Sequence, residues 1–222
     1  MRVNADFTQR VVIQTNDLPW LASPQPGVDR RMLDRIGDEV ARATSLVRYA
    51  PASVFEPHVH GLGEEFFVLD GIFSDEHGDY PVGTYVRNPP GSYHAPRTEP
   101  GCVILVKLRQ MAPTENARIV IDTEKAAWGR GDAEGHRRLD LYMNRDNGEH
   151  VTIERLDAAT VLPEQACPGG EEIFVLSGSL DDGQGELHSG TWIRNPPGYR
   201  RSLKSAGGAV YWAKRGHLDA VR

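Results

Sequence analysis

The chain repeats itself at long range. Gly63-Glu-Glu-Phe-Phe-Val-Leu-Asp-Gly71 returns as Gly170-Glu-Glu-Ile-Phe-Val-Leu-Ser-Gly178, and Gly83-Thr-Tyr-Val-Arg-Asn-Pro-Pro-Gly91 returns as Gly190-Thr-Trp-Ile-Arg-Asn-Pro-Pro-Gly198. The offset is 107 residues, from Gly63 to Gly170, and no gap separates the two blocks. Sixteen of the 29 positions from Gly63 to Gly91 are identical to their partners. A long period present twice means two similar domains, because a solenoid needs about three or more short repeats. Each half is large enough to bury its own core. The seam is expected near Met111-Ala-Pro-Thr-Glu-Asn116, which gives one domain over 1–115 and a second over 116–222. No low-complexity linker interrupts it, so the two domains are expected to pack together.

The local pattern is that of short strands. Runs rich in β-branched and aromatic residues fall at 11–15, 45–49, 65–69, 84–87 and 103–108 in the first half. Their counterparts fall at 118–122, 151–155, 172–176, 191–194 and 209–214. Turn signals such as Asn88-Pro-Pro-Gly91, Asp146-Asn-Gly148 and Asp181-Asp-Gly183 separate them, consistent with 23 glycines and 15 prolines. The segment 30–48 carries Met32, Leu33, Ile36, Val40 and Ala43 near helical spacing. Its counterpart, 137–155, holds Asn147-Gly148 between two apolar runs, a hairpin signature. Two copies of one fold share their elements, so both segments are read as hairpins. Regular short strands in a unit of this size predict an all-β fold, a sandwich or a barrel.

A net charge of −6 argues against nucleic acid, whose phosphates want a basic face. No apolar run approaches the roughly 18 residues of a membrane span. The N-terminus lacks the apolar stretch of a secretory signal. Cys102 and Cys167 are not equivalents across the repeat, since Cys102 matches Ala209, and they are read as free thiols in a reducing cytoplasm.

The copies diverge where chemistry would sit. The first carries His58, His60, Glu64 and His94; the second carries Gln165, Cys167, Glu171 and Arg201. His58-Val-His60 places two imidazoles on one face of a strand. Gly61-Leu-Gly63 permits a tight turn into Glu64, and the turn at Pro89-Pro-Gly91 can return His94 alongside. Three neutral imidazoles and a carboxylate suit a divalent metal. In the second copy Gln165 is a poor ligand, Cys167 is either a ligand or a buried inert thiol, and Arg201 cannot ligate because it stays protonated. Arg201 either supplies the missing positive charge beside Glu171 or extends into solvent; the residues alone leave both open. Arg87 and Arg194, retained in both copies, are read as structural.

The spacing carries a resemblance. His58-x-His60, three residues, Glu64, six residues and Gly71 is similar to the first cupin motif. Gly83, five residues, Pro89-Pro-Gly91, two residues and His94 is similar to the second. Two positions depart from the pattern: Ala52 stands where the first motif opens with Gly, and Thr98 stands where Asn often follows the last His. With Asp75-Glu-x-Gly-Asp-Tyr80 and Arg87-Asn-Pro-Pro-Gly-Ser92, the chain resembles the ChrR-like cupin family. That resemblance implies two tandem jelly-roll barrels. The first would bind one metal through His58, His60, Glu64 and His94, zinc foremost, with iron, manganese or nickel as alternatives. The second would be a barrel without metal ligands.

The resemblance also implies a sensory or regulatory module. The zinc-binding anti-sigma module of that family has a Cys-x2-Cys pair that this chain does not contain, so a sigma factor is not expected as a partner of this chain alone. The competing expectation is a metal-dependent dioxygenase acting on a small diketone-like substrate, since some cupins do this. Catalytic residues are not identified. A small molecule is the one partner class left open.

Overall fold

The computed structural model describes residues 1–218 of the chain. Among them there is no α-helix, and no helix is long and apolar enough to cross a membrane. The ambiguous segment 30–48 and its counterpart 137–155 are both hairpins. Val28–Gly37 pairs antiparallel with Ala41–Tyr49, and His136–Met143 pairs with His150–Leu156. The helical spacing at 30–48 is therefore overridden by strand pairing, as the turn in its counterpart implies.

The chain forms two compact units. Unit one comprises residues 1–5 and 19–126; unit two comprises residues 6–18 and the chain from 127 onward. These compact units differ from the repeat halves 1–115 and 116–222 in which terminal segment each one takes. In unit one, Ile119–Asp122 pairs with Thr84–Asn88. In unit two, Val11–Gln14 pairs with Thr191–Asn195. Each unit thus contains a strand that the repeat phase assigns to the other copy. A repeat identifies which segments are alike, not which sheet edge each one covers. An open edge recruits whichever strand reaches it, so a linear cut could not foresee the exchange.

In unit one, the main sheet runs through Val28–Gly37, Ala41–Tyr49, Cys102–Leu108, Glu64–Asp75, Thr84–Asn88 and Ile119–Asp122 in spatial order. Glu64–Asp75 is the long strand that turns the corner of a jelly-roll barrel. Its first part pairs with Cys102–Leu108, and its last residues pair with Gly78–Pro81 and Arg97–Thr98. The corner lies at Gly71, whose φ is +70°. A Cβ there would come 2.0 Å from the carbonyl oxygen of Gly101, so only glycine fits. Unit two repeats the arrangement with Glu171–Asp181 as the long strand and Gly178 at the corner, φ +71°.

Alternation along the long strand decides what enters the barrel. Phe66 and Val68 join Val86, Ile104 and Val106 in the core of unit one. Glu64 shares their face and so points inward. Glu65 and Phe67 take the opposite face, where buried Glu65 accepts from buried Arg87, which also donates to Glu115. Arg87 is thus a structural ion-pair residue.

Candidate metal centre

The strand pairs set the site. His58–Val59 pairs with Tyr93–His94, so His58 faces His94 directly across the ladder. Glu64 opens the long strand between Asn88 on one side and Leu108 on the other. Gly63 has φ +77°, and a Cβ on it would strike the Met111 side chain at 2.3 Å. That turn brings Glu64 back under His60.

The structure brings all four candidates together: one donor atom from each of His58, His60, Glu64 and His94 lies within 4.8 Å of the others. His60, Glu64 and His94 are buried, while His58 is exposed at the rim. Glu64 Oε2 sits 3.6 Å from His60 Nε2 and 3.5 Å from His94 Nε2. Both Nε2 atoms are buried and have no hydrogen-bond partner. The outer nitrogens are engaged instead: His58 Nδ1 lies 3.2 Å from the Glu56 carbonyl oxygen, and His94 Nδ1 lies 3.4 Å from Asp75 Oδ2. With Nδ1 donating outward, the Nε2 of His58 and of His94 carries a bare lone pair. Lone pairs converging on a carboxylate oxygen repel one another unless a cation lies among them. The donor set therefore fits a divalent metal.

Electrostatics favour the neutral ligand form at His60 and oppose it at His94. Burial pulls the His60 imidazole below its ordinary pKa and favours the neutral, ligating form, against the opposing pull of Glu64. Burial acts in the same direction on His94, but the Asp75 hydrogen bond and Glu64 together raise it. Burial would raise Asp75, yet hydrogen bonds from His94, Tyr80 and the His77 amide hold its carboxyl far below the usual range.

Sequence reasoning missed four residues around this centre. Asn88 Nδ2 donates to Glu64 Oε2 at 3.2 Å. Tyr80 donates to Asp75 Oδ1 at 2.7 Å. Arg118 donates to Asn88 Oδ1 at 3.2 Å and to the Tyr80 hydroxyl at 2.6 Å. Asp75 and Asn88 recur in the repeat as Asp182 and Asn195, a signal that was available. Of the other residues, Tyr93 is exposed, Phe66, Phe67 and Val68 are core, and half-exposed His77 lies 3.5 Å from Asp75.

Among the described residues, unit two has no such set of donors. Gln165 faces Arg201 across the ladder, as His58 faces His94. Arg201 is buried and points inward: its Nε donates to Glu171 Oε2 at 2.7 Å and its Nη2 to Gln165 Oε1 at 2.7 Å. A second guanidinium joins it, with Arg215 donating to Glu171 Oε2 at 2.8 Å and to Glu154 Oε1 at 2.7 Å. Glu154 also accepts from the Tyr211 hydroxyl at 2.6 Å and lies 3.0 Å from His136 Nε2. The repeat counterparts of Glu154, Tyr211 and Arg215 are Val47, Ile104 and Leu108. A chain of alternating charges thus fills the volume that is apolar in unit one. Cys167 is buried, and burial pushes its thiol up to about 11, which makes it inert. Cys102 is likewise free, buried and raised to about 11.

Solved structures of similar shape include a candidate dioxygenase from Nostoc punctiforme, with 17% identity, a TM-score of 0.79 and coverage of 95% of this chain and 84% of that one. A candidate glyoxylate-induced protein from Pseudomonas aeruginosa has 16% identity, a TM-score of 0.74 and coverage of 93% and 88%. A bacterial pirin from Escherichia coli, solved in complex with nickel(II), has 10% identity, a TM-score of 0.68 and coverage of 93% and 98%. At these identities the likeness is one of fold. No curated protein matches the chain. The sequence model of the ChrR cupin-like domain matches residues 8–112 and again 116–219. The chain therefore belongs to the ChrR cupin-like family, as two tandem cupin barrels.

Proposed function

We propose that this chain is a metal-binding bicupin in which His58, His60, Glu64 and His94 hold one divalent transition metal, zinc first, and that it serves as a sensory or regulatory module. The observation that carries the reading is the pair of buried, unpartnered Nε2 atoms of His60 and His94 facing Glu64. When bound, the metal supplies a positive charge that ties strands His58–Val59, Glu64–Asp75 and Tyr93–His94 into one rigid centre. Four protein donors can complete a tetrahedral zinc site, which suits a structural or sensing role more than catalysis. Family membership supports the regulatory side of the reading. The second barrel then serves as a scaffold whose arginines replace the cation.

A second reading is a dioxygenase acting on a small diketone-like molecule. Its support is that His58 is exposed, so the centre is open to solvent on one side. The two are separated by metal analysis of protein purified without added metal, X-ray absorption for coordination number, and oxygen uptake with a small β-diketone. We expect one four-coordinate zinc per chain and no uptake. A redox metal with open positions, and substrate-dependent uptake lost in His94→Ala, would establish the enzyme instead. A chain that takes up no metal sinks both.

A further inference from the structure

We infer that Arg118 is a positioning residue for the metal centre, setting Glu64 through Asn88 and His94 through Tyr80 and Asp75. The inference rests on the ligand reading above and deepens it.

The argument is one of hydrogen-bond direction. A guanidinium has only donors. Arg118 Nε donates to Asn88 Oδ1 at 3.2 Å. That contact fixes which way round the Asn88 amide sits, so its Nδ2 must face Glu64 Oε2, 3.2 Å away. A flipped amide would put oxygen against carboxylate and turn Glu64 out of line. The other arm works the same way. Arg118 Nη2 donates to the Tyr80 hydroxyl at 2.6 Å. The hydroxyl proton is therefore directed to Asp75 Oδ1, at 2.7 Å. Asp75 Oδ2 is left to receive Nδ1–H of His94 at 3.4 Å, with Arg118 Nη2 3.7 Å from the same oxygen. The Nε and Nη2 donors are thus directed toward the ligands, and His94 Nε2 is left bare toward the centre.

Unit two provides an internal control. Arg10 donates to Asn195 Oδ1 at 3.3 Å and also to Asp182, and Asn195 donates to Glu171 at 3.3 Å. The arm through Asn is thus kept where no ligands remain, and braces the barrel. The arm through Tyr80 is not kept: its repeat counterpart is Leu187, and Arg201 replaces the histidine it would orient. The tyrosine relay occurs where there is an imidazole to hold. Because Arg118 immediately precedes strand Ile119–Asp122, metal binding and docking of that strand are coupled, and the coupling is reciprocal.

The test compares wild type with Arg118→Ala, Arg118→Lys, Tyr80→Phe and Arg10→Ala. Zinc affinity is read by competition with a chromophoric chelator, and ligand geometry by the visible spectrum of the cobalt(II)-loaded protein. Arg118→Ala and Tyr80→Phe should weaken zinc binding about 10–100-fold and shift the cobalt spectrum. Arg118→Lys should not restore either, since a point charge cannot serve two acceptors in fixed directions. Arg10→Ala should leave both unchanged. Hydrogen exchange across 116–126 should slow on zinc addition in wild type. Wild-type affinity and spectrum in both Arg118→Ala and Tyr80→Phe would overturn the inference, as would an equal loss in Arg10→Ala. If Arg118→Ala fails to fold by near-UV circular dichroism, Tyr80→Phe alone decides. A wild-type chain that binds neither zinc nor cobalt overturns the ligand reading and this inference together; metal binding indifferent to these variants overturns this inference alone.

Discussion

Arg201 Nε lies 2.7 Å from Glu171 Oε2 in the second barrel, at the position where the first barrel sets His94 Nε2 3.5 Å from Glu64 Oε2. One arrangement is a finished ion pair; the other is two acceptors awaiting a cation. The glutamate is retained in both, and its Asn partner with it. What changed is the source of positive charge. Burial would lower the Arg201 pKa, but Glu171 together with Tyr211 and Glu154 raises it, so the guanidinium stays charged.

Arg201→Met should therefore destabilise the second unit by about 3 kcal/mol, because it strips a partner from a buried carboxylate. The lower end of the usual range applies, since Arg215 still reaches Glu171. Arg201→Met combined with Glu171→Leu should recover most of the loss. Urea denaturation of the three proteins reads both effects. Single and double variants equally destabilised would show that the pair is not what holds this core.

Acid should attack the same network. Burial would raise the Glu154 carboxyl, yet Arg215, His136 and Tyr211 hold it well below its ordinary value of 4.5. The unfolded chain protonates this group near that value and the folded chain only far below it. The stability it contributes is complete above about pH 4.5 and is lost as pH falls toward the folded value. Thermal melts between about pH 6 and pH 3 should show a steeper fall for wild type than for Glu154→Gln. Parallel slopes would remove Glu154 as the cause.

The sequence made some of this legible and hid the rest for identifiable reasons. The hairpins could be read because Asn147-Gly148 in one copy interpreted the ambiguous 30–48 of the other. The histidines and Glu64 could be gathered because motif spacing and strand alternation both pointed them inward. The strand exchange was hidden, since Val11–Gln14 and Ile119–Asp122 look alike in either position and only sheet pairing tells them apart. The Arg118 and Arg10 relationship was hidden by phase. Glu64 and Glu171 are 107 apart, whereas Arg10 and Arg118 are 108 apart, so a strict repeat alignment sets Arg118 against Val11. Arg215 was invisible because its counterpart is Leu108, and a charged residue opposite a partly buried leucine reads as surface.

Ala52, the departure from the glycine of the first cupin motif, has φ +55°, and its repeat counterpart Ala159 has φ +61°. Both alanines hold a left-handed conformation that costs an L-residue roughly 1–2 kcal/mol. Glycine there relieves the strain but loses about 0.4–1 kcal/mol through the freer unfolded chain. Ala52→Gly should thus stabilise the first unit by up to about 1 kcal/mol, and Ala159→Gly the second by a similar amount. Calorimetry of each variant checks this, and a lowered melting temperature in both would refute it.

Metal removal should separate the two units. In the first, three imidazoles and a carboxylate converge with two buried nitrogens left unpartnered, so the folded state gains whatever the cation binds with. In the second, Arg201 and Arg215 already neutralise Glu171 and Glu154, and nothing is left to gain. Zinc at about 100 times its dissociation constant should stabilise the first unit by about 2.7 kcal/mol, a rise in its melting temperature on the order of 10 °C. The transition of the second unit should not move. His60→Ala and His94→Ala should each abolish the zinc-dependent rise while leaving the Arg201–Glu171 pair, and hence the second transition, intact. Scanning calorimetry with zinc and with a chelator resolves these outcomes. A zinc-dependent rise of equal size in His94→Ala would place the cation somewhere other than between His60, Glu64 and His94.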